Sequence, residues 1–574
     1  MKKVTKNQII DILERVAAIL ELKDANVFKI RAFENAARVL EGSPLDLPEL
    51  VETGELEKLK GIGKGSIAFM IHEFYETGKS KDYDSLNKGI PETLFEMLEI
   101  PGLGAKRVKV LYSKLKIKTV EELERACQEN RLLKLEGFGA KSQEKILKGI
   151  SHFRKSAGSF LLYFAQEESK KIVEYLKKQK GILRIEVAGS LRRHKEVVKD
   201  MDILVSAKDP EKIHSAFVHY PSVVNIVGQG ETKSSVTLRN GINCDLRTVT
   251  EEEFPYALYY FTGSKEHNVA VRTIAKKKGI KINEYGLFKG KRLIRCKDEA
   301  EIFEAVGLHY VPPEARENTG EVEWVMKKEF PKLVEEKDIR GVFHVHSTYS
   351  DGVAPLEEMV EKAEAMGLEY VGISDHSQSA GYANGLKADR LRQQWKELDQ
   401  LQKKFKIRIF RGIESDILQD GSLDYPESIL KEFDFIIGSI HSRFNMPEKE
   451  MTSRLERAME NPHMTFWGHP TGRLLLSRDS YAVHMDKLLD TAKENGVVVE
   501  INCQPDRMEL DWRVCQSAKK KGILLSVNPD AHSVKGMEGL DLGIGIARKG
   551  WLEKKDVINT LPVSEMEKFL RKRK

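Results

Sequence analysis

Cysteine is scarce in this sequence, and the few cysteines lie far apart. The five are Cys127, Cys244, Cys296, Cys503 and Cys515, and no two of them form a CxxC pair. This spacing argues against a disulfide framework and against a zinc site built from thiolates. We expect reduced thiols, as in a cytoplasmic protein.

Long hydrophobic runs are missing as well. The longest apolar stretches are far shorter than the ~20 residues that a membrane-spanning helix needs. The first residues, MKKVTKNQIIDILERV, contain no apolar signal-peptide core. The sequence therefore predicts no membrane segment, no secretion and a cytoplasmic location.

Neither sign of charge dominates the chain, whose formal net charge is +6. The distribution is uneven, because residues 101–200 carry 24 Lys and Arg against 12 Asp and Glu. A basic surface of this kind is typical of proteins that bind nucleic-acid phosphates. A lysine-rich helical face exposed to solvent would give the same count, so charge alone leaves both interpretations open.

The chain of 574 residues is too long for one hydrophobic core, and its patterning changes along its length. Apolar residues recur at helical spacing through residues 1–150, short strand-like runs begin near residue 183, and helical spacing returns at 254–278. A segment rich in Pro and Glu (311–339) is typical of a linker. Beyond it, strand and helix patterns alternate.

Three glycine-containing turns recur in the helical region, each followed by an amphipathic helix pattern. They are LKGIGKGSIAFM (59–70), IPGLGAKRVKVL (100–111) and LEGFGAKSQEKIL (135–147). Glycine permits a tight turn that leaves the N–H groups at a helix start free for a phosphate. The pattern resembles the helix-hairpin-helix module, which grips the DNA backbone without reading its sequence. The predicted backbone contacts are Gly61, Gly63, Lys64, Gly102, Gly104, Lys106, Gly137, Gly139 and Lys141.

Two aspartates interrupt the apolar run VKDMDILVSA (198–207), which is otherwise typical of a buried strand. Asp200 and Asp202 would face the same side of that strand, and Asp245 in INCDLRTV could join them from a neighbouring strand. Clustered carboxylates repel one another unless a cation is bound, and their oxygens suit Mg²⁺ or Mn²⁺. Two ions held in this way can catalyse phosphoryl transfer.

The preceding segment, VAGSLRRHKE (187–196), places a Gly-Ser turn and two arginines just before these aspartates. Ser190 and the neighbouring N–H groups can bind phosphate oxygens, and Arg193 adds a charged contact. A Gly-Ser turn followed by DxD is the signature of the nucleotidyltransferase fold.

The next segment, ALYYFTGSKEHNVAVRTIAKKKG (257–279), completes a resemblance to the family X DNA polymerases, the family of DNA polymerase beta. The resemblance covers residues 1 to about 318 and implies that Asp200, Asp202 and Asp245 bind the catalytic Mg²⁺ or Mn²⁺ ions. It also implies that Tyr260 and Phe261 pack against the sugar of the incoming nucleotide. The complete set of implied nucleotide contacts is Gly189, Ser190, Arg193, Tyr260, Phe261, Gly263, Asn268 and Arg272.

One position departs from the family pattern. The family's 5′-deoxyribose phosphate lyase uses a Schiff-base lysine eight residues after the first hairpin glycine, and Phe69 stands at that position here. Phenylalanine cannot form an imine, so we expect weak or absent lyase activity, although binding of a 5′-phosphate could survive.

The carboxy-terminal half contains seven strand candidates separated by helix patterns: GVFHVHS, YVGISDHS, IRIFRGIESD, FDFIIGSIHS, MTFWGHP, GVVVEIN and ILLSVNPDAH. Repeated βα units predict a parallel barrel, with its chemistry at the carboxyl ends of the strands. Six of the seven strands end in imidazole or carboxylate groups, which predicts a multinuclear centre for Mn²⁺, Zn²⁺ or Fe²⁺. The predicted ligands are His344, His346, Asp351, His376, Glu414, His441, His469, Asp530 and His532.

The motifs HVHSTYSDG, SDH, SIHS, GHP and NPDAH resemble those of the PHP (polymerase and histidinol phosphatase) family. The resemblance implies a (β/α)₇ barrel that holds up to three metal ions and cleaves phosphoesters. Every expected ligand position carries a side chain that can bind metal, so we expect an active centre.

The predicted architecture is multidomain. It combines an α-helical amino-terminal domain with helix-hairpin-helix modules, an α+β nucleotidyltransferase palm with a thumb, and an α/β (β/α)₇ PHP barrel. The expected boundaries are a helical, lyase-like DNA-binding domain at 1–88, fingers at 89–150, the palm at 151–250, the thumb at 251–318, a linker at 319–338 and the barrel at 339–574.

These features predict a monomeric repair enzyme, a DNA polymerase that fills short gaps and carries a metal-dependent 3′–5′ exonuclease in its PHP domain. By family resemblance the barrel could also cut at abasic sites. Its partners would be gapped or primed DNA and deoxynucleoside triphosphates. Two alternatives remain: a polymerase whose barrel is a phosphatase for small molecules, and a non-catalytic scaffold for DNA ends.

Overall fold

The computed structural model describes residues 4, 6–42, 47–59, 61–100 and 102–572 of the 574-residue chain. Within these ranges the chain has the predicted multidomain architecture: helices first, then a mixed sheet, then a parallel barrel. No helix of the described part is both long enough and apolar enough to cross a membrane.

The amino-terminal region is helical because its apolar residues recur every three or four positions and so line one face of each helix. They form two separate cores, one around Leu13, Phe33 and Met70 and a second around Met97 and Val108. The helices are α1 (Lys6–Leu22), α2 (Val27–Gly42), α3 (Leu47–Glu52), α4 (Ser66–Thr77), α5 (Lys81–Asn87), α6 (Thr93–Leu98), α7 (Ala105–Leu115), α8 (Val120–Gln128) and α9 (Ala140–Ser156).

The palm is a five-stranded sheet in the order β2-β4-β7-β6-β5, and β4 and β7 run parallel while the other neighbours are antiparallel. Its strands, with the separate pair β1 and β3, are β1 (Phe160–Leu161), β2 (Ile182–Val187), β3 (Val197–Val198), β4 (Asp200–Ala207), β5 (Val223–Gln229), β6 (Lys233–Leu238) and β7 (Asn243–Val249). Its helices are α10 (Leu162–Lys177), α11 (Gly189–Arg192) and α12 (Pro210–Val218).

In the five-stranded palm sheet, β5 carries no strand pattern in its sequence. It is an edge strand, and Val224, Ile226 and Val227 on it are all exposed, so it shows no alternation of buried and exposed residues. Period-2 alternation is the signal by which a half-buried strand is predicted, and an edge strand without it escapes notice.

The thumb packs on the palm through a buried ionic network. The Glu299 carboxylate accepts hydrogen bonds from Arg192 Nη1 and Nη2, at 2.9 and 2.7 Å, and also from Arg316. Although burial raises the pKa of Glu299, the two arginines outweigh it and lower the pKa to about 2. The thumb elements are α13 (Phe254–Thr262), α14 (Lys265–Lys277), β8 (Ile280–Asn283), β9 (Gly286–Lys289), β10 (Arg292–Ile294) and α15 (Glu299–Ala305).

The predicted linker, residues 319–338, is folded rather than extended. It contains the short helix α16 (Glu321–Val325), whose Val322 and Val325 are buried in the thumb core. Glu321 is buried too, 2.7 Å from Nδ1 of the thumb residue His267. Composition indicated a linker, but burial of these side chains ties residues 321–325 to the thumb. Further along the segment, the Val334 N–H donates to the Leu552 carbonyl of the barrel at 2.9 Å.

The carboxy-terminal half contains seven parallel strands in sequence order, as predicted. The strands are β11 (Gly341–Val342), β12 (Tyr370–Ile373), β13 (Arg408–Asp416), β14 (Phe435–Ser439), β15 (Phe466–Trp467), β16 (Val498–Asn502) and β17 (Leu525–Asn528). The helices are α17 (Leu356–Ala365), α18 (Ala388–Lys404), α19 (Glu427–Leu430), α20 (Glu448–Met459), α21 (Met485–Glu494), α22 (Trp512–Lys521), α23 (Leu540–Lys549) and α24 (Val563–Lys572).

The first and last strands meet and nearly close the barrel. Val345, just beyond β11, forms a parallel bridge with Ala531, just beyond β17. The His346 N–H donates to the Ala531 carbonyl at 2.9 Å, and the Ala531 N–H donates to the His344 carbonyl at 3.1 Å. This closure brings the first histidine motif, HVH, beside the last motif, PDAH.

Candidate active sites

The palm brings the three predicted aspartates together on neighbouring strands. Asp202 on β4 lies directly opposite Asp245 on β7 in the parallel register, and Asp200 precedes Asp202 by two residues on β4. Met201, between the two β4 aspartates, is fully buried, so the aspartates share the opposite, more open face.

The electrostatics of this triad are those of a cation site. Burial raises the pKa of Asp202 to about 6, and the like charges of Asp200 and Asp245 add to the shift. Lys233 on β6 places its Nζ 2.6 Å from Asp245 Oδ2 and supplies the nearest compensating charge. Within the described ranges, every group of three or more possible metal ligands whose ligand atoms lie within 4.8 Å of one another is in the barrel. The three palm carboxylates form no such group, so their oxygens are farther apart.

The predicted phosphate-binding turn lies against this triad. Gly189 begins α11 with φ of +63°, and a Cβ there would meet Asp202 Oδ2 at 2.3 Å, so no larger residue fits. Ser190 follows within α11 and is partly buried. The Arg193 side chain is anchored between palm and thumb, because its Nε donates to Glu317 Oε1 at 3.1 Å and its Nη1 donates to the Thr262 carbonyl at 2.8 Å.

The thumb candidates form one turn around Gly263. Asn268 Nδ2 donates to the Tyr260 carbonyl at 2.8 Å and to the Gly263 carbonyl at 3.3 Å. Tyr260 and Phe261 are half-buried and pack edge to face, with ring centroids 5.3 Å apart. Arg272 is exposed, and its Nε donates to the Asn268 carbonyl at 3.2 Å. The sequence-predicted residues of this segment therefore share one small surface.

The three glycine turns lie where the sequence places them. Gly61, Gly102 and Gly137 have positive φ, and α4, α7 and α9 begin a few residues later. The N-cap residues just before these helices are Gly65, Gly104 and Gly139. Glycine has no side chain to cap the helix, which leaves the first N–H groups available to a phosphate. Lys64, Lys106 and Lys141 beside the turns are exposed. Phe69, at the position of the lyase lysine, is 59% exposed on α4.

The barrel gathers all nine predicted ligands at the carboxyl ends of its strands. Their ligand atoms form four overlapping groups in which every atom lies within 4.8 Å of the others. The groups are His346, Asp351, His376 and His532; His344, His469 and Asp530; His344, His346 and Glu414; and His376, Glu414 and His441.

Glu414 is the central carboxylate of this cluster. Its Oε1 lies 2.8 Å from His469 Nε2 and 3.2 Å from His441 Nε2, and its Oε2 lies 2.9 Å from His376 Nδ1. The Nε2 atoms of His344 and His346 are buried and form no well-aligned hydrogen bond within the described part of the chain, although oxygens of Glu414 and Asp530 lie 3.3 to 3.6 Å away. Buried nitrogens without a good hydrogen bond are costly, but they fit a centre in which they bind metal. The donor set could therefore hold metal ions.

The pKa values of the cluster reflect its packing. Burial lowers the pKa of His346 to about 3, with help from its neighbours His532 and His376. Burial acts in the same direction on His441 and His532, but nearby carboxylates outweigh it and raise both pKa values to about 9. Imidazoles and carboxylates packed this closely need either protons or cations between them.

Sequence patterns missed the side chains that support these ligands. Glu500 on β16 is fully buried, and its Oε1 lies 2.6 Å from His344 Nδ1. Asp416 at the end of β13 lies 2.5 Å from His441 Nδ1. Glu500 breaks the apolar run GVVVEIN just as the aspartates break VKDMDILVSA, and that signal could have identified it.

Comparison with known proteins finds family models at several places along the chain. Four family models match: a helix-hairpin-helix domain at 4–80, a SAM-like helix-hairpin-helix tandem at 94–151, the DNA polymerase beta thumb at 257–317 and the PHP domain at 343–504. The DNA polymerase/3′-5′ exonuclease PolX of Bacillus subtilis (strain 168) is 39% identical over 572 residues, 99% of either chain.

The chain belongs to the PolX family.

Two further relatives match shorter parts of this PolX-family chain. A "Repair DNA polymerase X" of African swine fever virus is 33% identical over 172 residues, 26% of this chain and 97% of the viral one. A "Probable phosphatase" of Thermoanaerobacter sp. (strain X514) is 27% identical over 246 residues, 40% of this chain and 94% of the relative.

Replacing Glu500 by Gln is expected to weaken metal retention by the barrel of this PolX-family chain. The carboxylate orients the His344 ring and also accepts a hydrogen bond from the backbone N–H of His469 at 2.6 Å. Loss of such a supporting group typically costs about 10- to 100-fold in metal affinity. Chelator competition with Mn²⁺-loaded protein measures the effect.

Glu567→Gln is the matched control for this measurement, because Glu567 bonds Arg408 on the barrel exterior at 2.9 Å. Equal metal retention by the Glu500 variant and the Glu567 variant would contradict the supporting role.

Proposed function

We propose that this PolX-family chain extends primers across short DNA gaps at its palm site and removes 3′-terminal nucleotides at its barrel centre. The observation that carries the proposal is the presence in one chain of a palm carboxylate triad and a separate cluster of nine metal-binding side chains. The match to a DNA polymerase/3′-5′ exonuclease over the whole length supports the same pair of activities.

In the palm, Asp200, Asp202 and Asp245 would hold Mg²⁺ or Mn²⁺. Such ions, when bound, stabilise the charge that develops during phosphoryl transfer. Ser190 and Arg193 would orient the triphosphate. The Nε and Nη1 of Arg193 donate to Glu317 and Thr262, so its Nη2 would make the contact with the phosphate.

On the thumb side, Tyr260 and Phe261 would limit the space beside the sugar, which disfavours a 2′-hydroxyl. The Arg247 guanidinium lies 4.5 Å from the Phe261 ring centroid and holds this ring in place. Asn268 would contact the incoming nucleotide and Arg272 the template strand. Deoxynucleoside triphosphates are therefore the proposed substrates.

In the barrel, the nine ligands would hold up to three ions, with Mn²⁺, Zn²⁺ or Fe²⁺ suited to the mixed donors. Such ions, when bound, polarise a phosphate and lower the pKa of water. Arg507 is a candidate for contact with that phosphate: burial lowers the pKa of His469 and the Arg507 charge adds to the shift. Its Nη1 donates to Glu509 Oε1 at 3.3 Å, and its buried Nε has no hydrogen-bond partner in the described ranges. We assign Arg507 to the scissile phosphate.

An exposed aromatic ring favours DNA over a small phosphate ester as the substrate of the barrel. Tyr382 is 69% exposed, and its ring centroid lies 5.9 Å from that of His376 and 6.0 Å from that of His441. A ring at the rim of a phosphoesterase centre can stack on a nucleobase. The relatives named "Probable phosphatase" keep the small-molecule phosphatase as a second candidate.

The helical region would grip DNA through the three glycine turns and their lysines, giving binding that weakens with salt. We propose the domain boundaries stated above, with residues 319–338 as the join between thumb and barrel. A cytoplasmic location suits the proposal, since all five cysteines are buried and form no disulfide. We also propose that the protein is a monomer.

A duplex with a one-nucleotide gap and a labelled primer tests both activities in one tube. With Mg²⁺ or Mn²⁺ and all four deoxynucleoside triphosphates the primer should lengthen by one nucleotide, and without nucleotides it should shorten from its 3′ end. Failure to lengthen would contradict the palm assignment. Faster hydrolysis of a small phosphate monoester than of the 3′ end would favour the phosphatase.

A further inference from the structure

A buried lysine of the barrel reaches into the polymerase half. Lys549, the last residue of α23, is 1% exposed, and its Nζ donates to the carbonyls of Arg193 and Glu314 at 3.1 and 3.4 Å. Its third hydrogen bond goes to Glu317 Oε1 at 2.5 Å. A buried ammonium is tolerated only when its donors are paired, and all three partners here belong to the thumb and palm.

The Glu317 oxygen is shared between the two halves. Besides Lys549 it accepts the Arg193 Nε hydrogen bond at 3.1 Å, so one carboxylate oxygen bridges a cation of the barrel and a cation of the palm. Glu317 is largely buried, with 15% of its side chain exposed, and the attraction between charges is strong in such surroundings. Lys549 and Arg193 therefore compete for the same negative charge.

Other contacts already dock the barrel on the polymerase without touching the Arg193 side chain. Arg548 Nε donates to Glu314 Oε1 at 2.7 Å, and its Nη1 donates to the Val334 carbonyl at 3.1 Å. His194 lies against Gly545 of α23 so closely that a Cβ there would meet its Nδ1 at 2.1 Å. Docking does not require Lys549 to be directed at Glu317.

We propose that Lys549 is a positioning residue for the polymerase, which sets the affinity for the incoming triphosphate by limiting how tightly Glu317 holds Arg193. This rests on the proposed function, in which Arg193 contacts the triphosphate. Without Lys549 the buried carboxylate has Arg193 as its main counter-ion and holds that guanidinium away from the nucleotide. The barrel thereby tunes a reaction that takes place in the palm.

Steady-state single-nucleotide gap filling by the full chain tests this role of Lys549, and 3′-end removal is measured in the same preparation. Lys549→Met should raise the KM for the nucleotide about fivefold and leave kcat within about twofold. Adding Glu317→Gln to that variant should bring KM back toward the wild-type value, because a neutral amide holds Arg193 weakly. A merely structural defect would grow worse with the second substitution.

Arg548→Met is the matched control, since it removes a neighbouring cation from the same interface and should leave KM unchanged. Retained 3′-end removal shows that each variant is folded. Arg193→Met separates the proposed contact of Arg193 with the triphosphate from the proposed role of Lys549. An unchanged KM in this variant would overturn both proposals. If KM rises in Arg193→Met but not in Lys549→Met, the role of Lys549 alone would be overturned. A double variant with a higher KM than Lys549→Met would overturn it too.

Discussion

Replacing Asp245 by Asn is expected to slow nucleotide incorporation on gapped DNA at least about a thousandfold. Cations bound by the palm carboxylates supply several kcal/mol of transition-state stabilisation, and each 1.36 kcal/mol is a factor of about ten in rate. Asparagine keeps the shape of the side chain but removes the charge opposite Asp202, so the site loses one third of its negative charge. Single-turnover extension of a labelled primer measures the rate.

The same variant should remove 3′-terminal nucleotides within about twofold of the wild-type rate, because changes at independent sites act separately. Asp209→Asn is the matched control: it alters a palm aspartate that caps α12, and asparagine caps a helix equally well. Loss of both activities in a folded Asp245→Asn protein would argue against two separate sites. Nucleotide incorporation at the wild-type rate by that variant would contradict the assignment of Asp245 to the polymerase site.

Replacing Glu414 by Gln is expected to abolish 3′-end removal, by at least about a thousandfold, and to leave gap filling unchanged. Glu414 is 1% exposed and belongs to two of the four ligand groups in the barrel. An amide has only one coordinating oxygen and no charge, while His441 and His469 would still point at it. Release of a labelled 3′-terminal nucleotide, with primer extension beside it, measures the two effects.

Glu427→Gln serves as the control for this experiment, since the Glu427 side chain is 83% exposed on the same barrel. Metal content measured on the same samples shows whether Glu414→Gln acts by loss of the ions. A variant that keeps its ions and still degrades 3′ ends at the wild-type rate would contradict the role assigned to the cluster.

The two proposed active sites could be predicted because each contains local patterns with a strong physical meaning. Asp200 and Asp202 share one face of a strand, as do His344 and His346, since side chains alternate with period two. Carboxylates and imidazoles within apolar strands are costly unless they bind something. Together with the Gly-Ser turn before the aspartates and the repeated ligands at six of seven strand ends, this rule indicated both sites. The parallel barrel followed from seven strand patterns separated by helices, and the structure confirms that order.

Residues whose roles depend on contacts across the fold were not predictable in the same way. Lys233 has no motif, and only the pairing of β6 with β7 brings it to Asp245. The 319–338 segment has the composition of a linker, yet two buried valines, Val322 and Val325, pack its first part into the thumb. The lyase prediction at Phe69 concerns chemistry that neither pattern nor packing tests, and it stays a prediction.

The amino-acid sequence by itself determined the modules and their reactive groups: three glycine turns, a carboxylate triad and a ring of metal ligands. Their parts, such as a glycine turn, the pair Asp200 and Asp202 or the pair His344 and His346, are each encoded within a few consecutive residues, where backbone periodicity decides which side chains share a face. Only the tertiary structure decided how the modules meet, in particular that Lys549 and Arg193 share Glu317. Such a contact depends on the docking of surfaces hundreds of residues apart, which no local pattern records.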